Sequence, residues 1–189
     1  APLIKILKKN KNNFFLINTN QHYINLMSKV FLDFFNIPKP KYNINATTEN
    51  HGTFFSKTIN KIEKILFKEK PDYLVVQGDT NTALAGCLAG TMFNRKYIKS
   101  NKKIRIVHIE SGLRSFDEKM PEEINRKLID HLSDILFPPT YIDSKNLENE
   151  NLSHKKIYKV GNTISDVLNL YLSKIKKNQI LKKLNLKKK

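Results

Sequence analysis

The chain has 189 residues, 40% of them apolar, and a formal net charge of +17. That length suits one domain or slightly more, with enough apolar material for a core. The single cysteine, Cys87, excludes an internal disulfide framework, and no apolar run is long enough to cross a membrane.

The charge is unevenly spread. Residues 174–189 hold eight lysines and no acid, a block that reads as a solvated, flexible end. Charge alone suggests a nucleic-acid binder, but basic residues are not interleaved with aromatics as in a known module. The expectation is therefore no nucleic-acid partner, no membrane partner and a reduced, cytoplasmic setting. Cys87, among Ala83, Ala85, Gly86, Ala89 and Gly90, reads as an inert thiol at a tight contact between a helix and a sheet.

Taken in order, Pro2 fits a first helical position, and Leu3, Ile4 and Leu7 follow at helical spacing. Phe14–Asn18 reads as a short strand. Ile24, Met27, Phe31, Phe34 and Phe35 give a second helix its apolar face. The Pro-containing stretch Ile37–Pro40 is a loop, and Phe54–Leu66 marks a third helix. Strands are predicted at Tyr73–Gln77, Ile104–Ile109, Ile135–Phe137 and Ile157–Val160. Helices are predicted at Asn81–Phe93, Pro121–Leu132, Tyr141–Glu150 and from Ser165 onwards. Near-continuous apolar strands alternating with helices predict an α/β fold built on a parallel sheet. No strand feeds the first helix, and the last runs into lysines without a cap. The sequence is therefore read as a piece of a longer protein whose isolated stability is poor.

The chemistry gathers where strands end. Glu110 follows the apolar run Ile104–Ile109, and Asp79 follows Tyr73–Gln77 across Gly78. A bare carboxylate is costly inside an apolar strand but cheap at its exit. In open parallel sheets that exit faces the crevice where ligands bind. A third acid, Glu122, opens the helix that carries Arg126. Each feature has a plainer reading. Gly-Asp is a common turn pair. First-turn acids suit a helix dipole, and Glu122 and Arg126 stand at ion-pair spacing. His108 reads as a hydrogen-bonded core histidine before it reads as a base. There is no Cys/His metal spacing, no phosphate-cradling glycine loop and no nucleophile elbow, so neither metal nor cofactor is expected.

Four segments, Gly78-Asp79-Thr80, His108-Ile-Glu-Ser-Gly-Leu-Arg114, Met120-Pro-Glu-Glu-Ile-Asn-Arg126 and Val160-Gly-Asn-Thr163, together resemble the non-hydrolysing UDP-N-acetylglucosamine 2-epimerases. Gln21-His22 resembles a further pair of that family. The resemblance implies a Rossmann-like parallel sheet with flanking helices, the N-terminal half of a glycosyltransferase-B-type two-domain architecture. Residues 1–163 would form that domain without its first strand. Residues 164–189 would form a helical crossing segment and lysine-rich tail towards an absent C-terminal domain. It implies interconversion of UDP-GlcNAc and UDP-ManNAc by elimination and re-addition of UDP, for surface polysaccharide precursors, in a homodimer when full length. Carried over by position, Asp79, Glu110 and Glu122 would be catalytic. Gln21, His22, Thr80, Arg114 and Arg126 would bind the UDP sugar. Two alternatives stay open: a 2-epimerase for another UDP sugar of the diacetamido uronic acid type, and an inactive fragment acting at most as a binding module.

Overall fold

A computed structural model of the protein describes residues 1–19, 25–46, 50–97, 102–177 and 183–184. Contacts divide the chain into two compact units, one of Ala1–Asn13 with Asn162–Lys189, the other Phe14–Gly161. The first helix, α1 (Pro2–Lys9), groups with the last, α7 (Thr163–Lys177).

Phe14–Gly161 carries the sheets. Four parallel strands run β3 (Tyr73–Gln77), β4 (Arg105–Ile109), β5 (Ile135–Phe137) and β6 (Lys156–Ile157), side by side in chain order. The register sets Gln77 against Ile109 and Ile109 against Phe137, so three strands end at one level. A separate parallel pair joins β1 (Ile17–Asn18) to β2 (Tyr42–Asn43). The sequence marks the first of these as Phe14–Asn18 and misses the second. Two residues beyond a Pro-containing connector are too few for a visible alternation. The predicted strand Ile157–Val160 is also shorter and starts earlier. Beyond Ile157, the Tyr158 and Val160 amides still donate to Leu136 and Pro138.

Helices α3 (His51–Glu69), α4 (Asn81–Lys96), α5 (Pro121–Leu132) and α6 (Tyr141–Asn149) connect the strands. Before them comes α2 (Asn25–Phe34), where Phe31 and Phe34 are exposed rather than packed inward. The main core joins Phe54, Ile62, Ile65 and Leu66 of α3 to Ala89 and Phe93 of α4 and to Ile104. A second cluster packs Val76, Ile106, Cys87 and Ile129 across β3, β4, α4 and α5. Small residues along α4, namely Ala83, Ala85, Gly86, Cys87, Ala89 and Gly90, are all buried, letting that helix lie close on its neighbours. Asn94 holds the residue before β4: its amide donates to the Ile104 carbonyl and its oxygen accepts from the Ile104 N–H, both at 2.8 Å. At the amino end of the strands Lys155 donates to the carbonyls of Asp130, His131 and Ser133, satisfying the last turn of α5.

Candidate functional site

The carboxyl ends of β3 and β4 place the first two acids. Beyond Gln77 the chain turns at Gly78 (φ +69°), whose N–H donates to the Ile109 carbonyl at 3.0 Å. Asp79 follows, and then Thr80 caps α4 by accepting from the Ala83 N–H at 3.2 Å. Glu110 leaves β4 in the left-handed region (φ +69°), with its N–H donating to the Phe137 carbonyl. The Gln77 amide donates to Glu110 Oε1 at 2.9 Å, across the Gly78 turn. The other oxygen, Oε2, lies 3.6 Å from where a Cβ on residue 78 would stand, an ordinary contact, so it is the left-handed backbone rather than lack of space that favours glycine there.

The segment after Glu110 is pinned from below. Gly112 (φ +77°) admits no side chain, since a Cβ there would come within 2.2 Å of the Asp143 carbonyl oxygen. Its N–H donates to Asp130 Oδ2 at 3.0 Å, and its carbonyl accepts from Asn146 at 3.0 Å. Arg114 then turns inward. Its side chain is fully buried, bonded to both Glu150 oxygens at 2.7 and 2.6 Å and to Asp130 Oδ2 at 2.8 Å. Burial alone would lower its pKa, but the bonds from Glu150 and Asp130 outweigh it and raise it. Arg114, expected from the resemblance to bind the UDP sugar, thus holds a buried anchoring position between α5 and α6, committed to Glu150 and Asp130.

The first turn of α5 supplies the third acid and its neighbour, with different fates. Glu122 is exposed. Glu123 is buried, and its carboxylate accepts from the Ser115 N–H and hydroxyl, both at 2.9 Å, and from Arg126 at 3.0 Å. Burial pushes its pKa up, yet the donors of Ser115, Arg126 and Phe116 win and hold it at about 2. Arg126 also reaches Asp79 Oδ2, with Nε at 2.9 Å and Nη2 at 2.6 Å. Desolvation works against its charge, and the bonds to Glu123 and Asp79 raise its pKa all the same. Asn125 completes the clamp by donating to the Asp79 carbonyl at 2.8 Å and to Asn81 Oδ1 at 3.0 Å.

The structure therefore gathers Asp79, Glu110, Thr80, Arg126 and the Glu122 end of α5 at one end of the sheet. Arg126 pairs with Asp79 and Glu123. Gln21 and His22 lie outside the described residues. Gln77, Glu123, Asn125, Asp130 and Glu150 were not foreseen as partners. Only the three-residue spacing of Glu123 and Arg126 offered a signal, and it is masked by the equally good spacing of Glu122. No cluster of three or more His, Cys, Asp or Glu residues able to hold a metal occurs among the described residues. A cavity of about 860 Å³ opens at the opposite, amino end of the strands, lined by Asn94, Lys103, Arg105, Asp134, Lys155 and Lys156, far from this chemistry.

What this arrangement can do is move protons. Acids from separate segments lie at one end of the sheet, two of them held by one guanidinium, the kind of setting in which carboxylates take up different protonation roles.

A family model described as UDP-N-acetylglucosamine 2-epimerase matches residues 5–189. The UDP-N-acetylglucosamine 2-epimerase of Methanocaldococcus jannaschii is 48% identical over 179 residues, covering 95% of this chain and 46% of that protein. A UDP-2,3-diacetamido-2,3-dideoxy-D-glucuronate 2-epimerase from Pseudomonas aeruginosa is 42% identical over 153 residues, covering 80% of the chain and 41% of that protein. Among solved structures, the Methanocaldococcus jannaschii UDP-GlcNAc 2-epimerase in complex with UDP-GlcNAc and UDP superposes with a TM-score of 0.87 at 45% identity, over 97% of this chain and 48% of that one. The chain spans about half the length of the curated relatives it matches.

Proposed function

The chain belongs to the UDP-N-acetylglucosamine 2-epimerase family, and from that premise we propose that it forms the N-terminal half of an isomerase that interconverts UDP-GlcNAc and UDP-ManNAc. One observation carries this reading. Asp79, Glu110 and the first turn of α5 meet at the carboxyl end of the sheet, and Arg126 and Asn125 tie Asp79 to α5.

The chemical problem is a weakly acidic hydrogen on carbon 2 of the sugar. A base removes that proton, and the C–H electrons become a double bond between carbons 1 and 2. The bond from carbon 1 to the diphosphate oxygen breaks and UDP departs. Re-addition of UDP, with protonation of carbon 2 on the opposite face, gives the epimer. Glu122 and Asp79 take the proton-transfer roles, each worth about 10²–10⁴-fold by placed acid–base groups. Glu110 binds the sugar or shares a proton. Arg126, Thr80, Gln21 and His22 serve the anionic substrate or its acids, and Arg114 holds the turn that presents them. The family-length enzyme works as a cytoplasmic homodimer supplying surface polysaccharide precursors. The half described here does not turn over alone.

A second substrate is supported by the Pseudomonas aeruginosa relative, whose sugar is a diacetamido uronate. One experiment separates the readings. The family-length enzyme and this chain alone are each given UDP-GlcNAc and UDP-diacetamido uronate in heavy water. The expected result is deuterium at carbon 2 of the N-acetylglucosamine pair, with the longer enzyme only. Turnover without deuterium overturns the proton-transfer scheme, and turnover of the uronate alone reassigns the substrate.

A further inference from the structure

We propose that His108 is a positioning residue that fixes Asp79 for proton transfer by gripping the Gly78 carbonyl from inside the core; this rests on the epimerase reading above. His108 and Asp130 are both completely buried. His108 Nδ1 lies 2.6 Å from Asp130 Oδ1, and Nε2 lies 3.0 Å from the Gly78 carbonyl oxygen. A carbonyl oxygen can only accept, so Nε2 donates to Gly78 while Nδ1 faces the Asp130 carboxyl group. A ring enclosed in this way does not reach a substrate.

The grip is rigid because its far end is rigid. Asp130 also accepts from the Gly112 N–H at 3.0 Å and from Arg114 at 2.8 Å. Arg114 is itself forked onto Glu150 beyond α6. Buried, fully partnered polar groups of this kind hold one geometry rather than several. The near end of the grip is the residue before the acid. Gly78 needs its left-handed turn to leave the sheet, and its carbonyl sits past the last paired residue of β3. His108 holds that carbonyl, Asn125 holds the next one, and Arg126 holds the Asp79 carboxylate. Three side chains from two elements thus fix one acid, and among them His108 alone stands on the sheet.

The test uses amide substitutions that split the two contacts. The Asn amide nitrogen falls near the position of Nδ1, and that of Gln near Nε2. His108→Asn keeps the Asp130 side and loses Gly78, whereas His108→Gln keeps the Gly78 side. In the family-length enzyme, His108→Asn is expected to lower kcat by roughly ten- to a hundredfold with KM within about twofold, as a misplaced catalytic group does. His108→Gln recovers most of that loss. In the chain itself, the amide resonances of Gly78, Asp79 and Thr80 shift in the Asn variant and return in the Gln variant. Wild-type kcat in His108→Asn, or equal kcat in both variants whatever their melting temperatures, overturns the proposal. Should His108→Asn fail to fold, the isosteric Asp130→Asn replaces it, with the same fall in kcat expected and unchanged kcat again refuting the role. An inactive wild-type enzyme refutes the epimerase reading instead, so the two failures are told apart.

Discussion

Glu110 occupies a backbone conformation that costs a side-chain-bearing residue about 1–2 kcal/mol and that glycine adopts freely. It sits at the exit of β4 with its carboxylate against the Gln77 amide, and backbone strain of this kind clusters at functional sites. Glu110→Gly is therefore expected to raise stability by about 1 kcal/mol in denaturant melts while turnover of the family-length enzyme falls by about 10²–10⁴-fold. Lower stability in this variant would show that the conformation carries no strain. The strand-exit placement of Glu110 and Asp79 was legible in the sequence, because a carboxylate at or just past the end of an apolar strand is conspicuous. The division of labour between Glu122 and Glu123 was not. Both are first-turn acids one residue apart, and only the three-dimensional place of Ser115 and Arg126 decides which turns inward. The inward course of Arg114 was equally hidden, since its partner Glu150 lies far along the chain.

At the scale of elements, α5 is tied to the loop before it and to the turn after β3 by one carboxylate and one guanidinium. Glu123 is the common acceptor, with its pKa brought from an ordinary 4.5 down to about 2. A carboxylate depressed in the folded state adds stability above its unfolded pKa, and that stability is lost as protonation begins in the folded state. Thermal melts between pH 4.5 and 2 should thus show a progressive fall in midpoint that is shallower in Glu123→Ala, and at neutral pH the Ala variant should be less stable by about 3–5 kcal/mol, because it strands a buried donor set and a guanidinium. An acid-titration slope unchanged by the substitution would remove Glu123 from the network. The strands β3 and β5 and the helix α5 were read to the residue from sequence, since apolar runs and the Pro-Glu-Glu start mark them clearly. The pair β1–β2 escaped because two-residue strands carry no period.

At the scale of the molecule, parallel order follows from connection: each neighbouring strand of the larger sheet is reached through a helix. That alternation was legible throughout. The grouping of α1 with α7 was not, because association between distant ends leaves no local pattern. The second core cluster has Cys87 at its centre, fully buried, its thiol pushed up to about 12 chiefly by burial, with the Ser133 contact pulling weakly the other way. Thiolate is the reactive form, so two barriers stand before any alkylating reagent: access and ionisation. Both vanish only when β3, α4, β4 and α5 separate together. With one sulfhydryl in the whole chain, iodoacetamide labelling should proceed no faster than amide exchange of the β4 backbone; rapid labelling in native buffer would mean that the layers part independently. The lone sulfur thus serves as an internal clock for core opening, readable by mass alone.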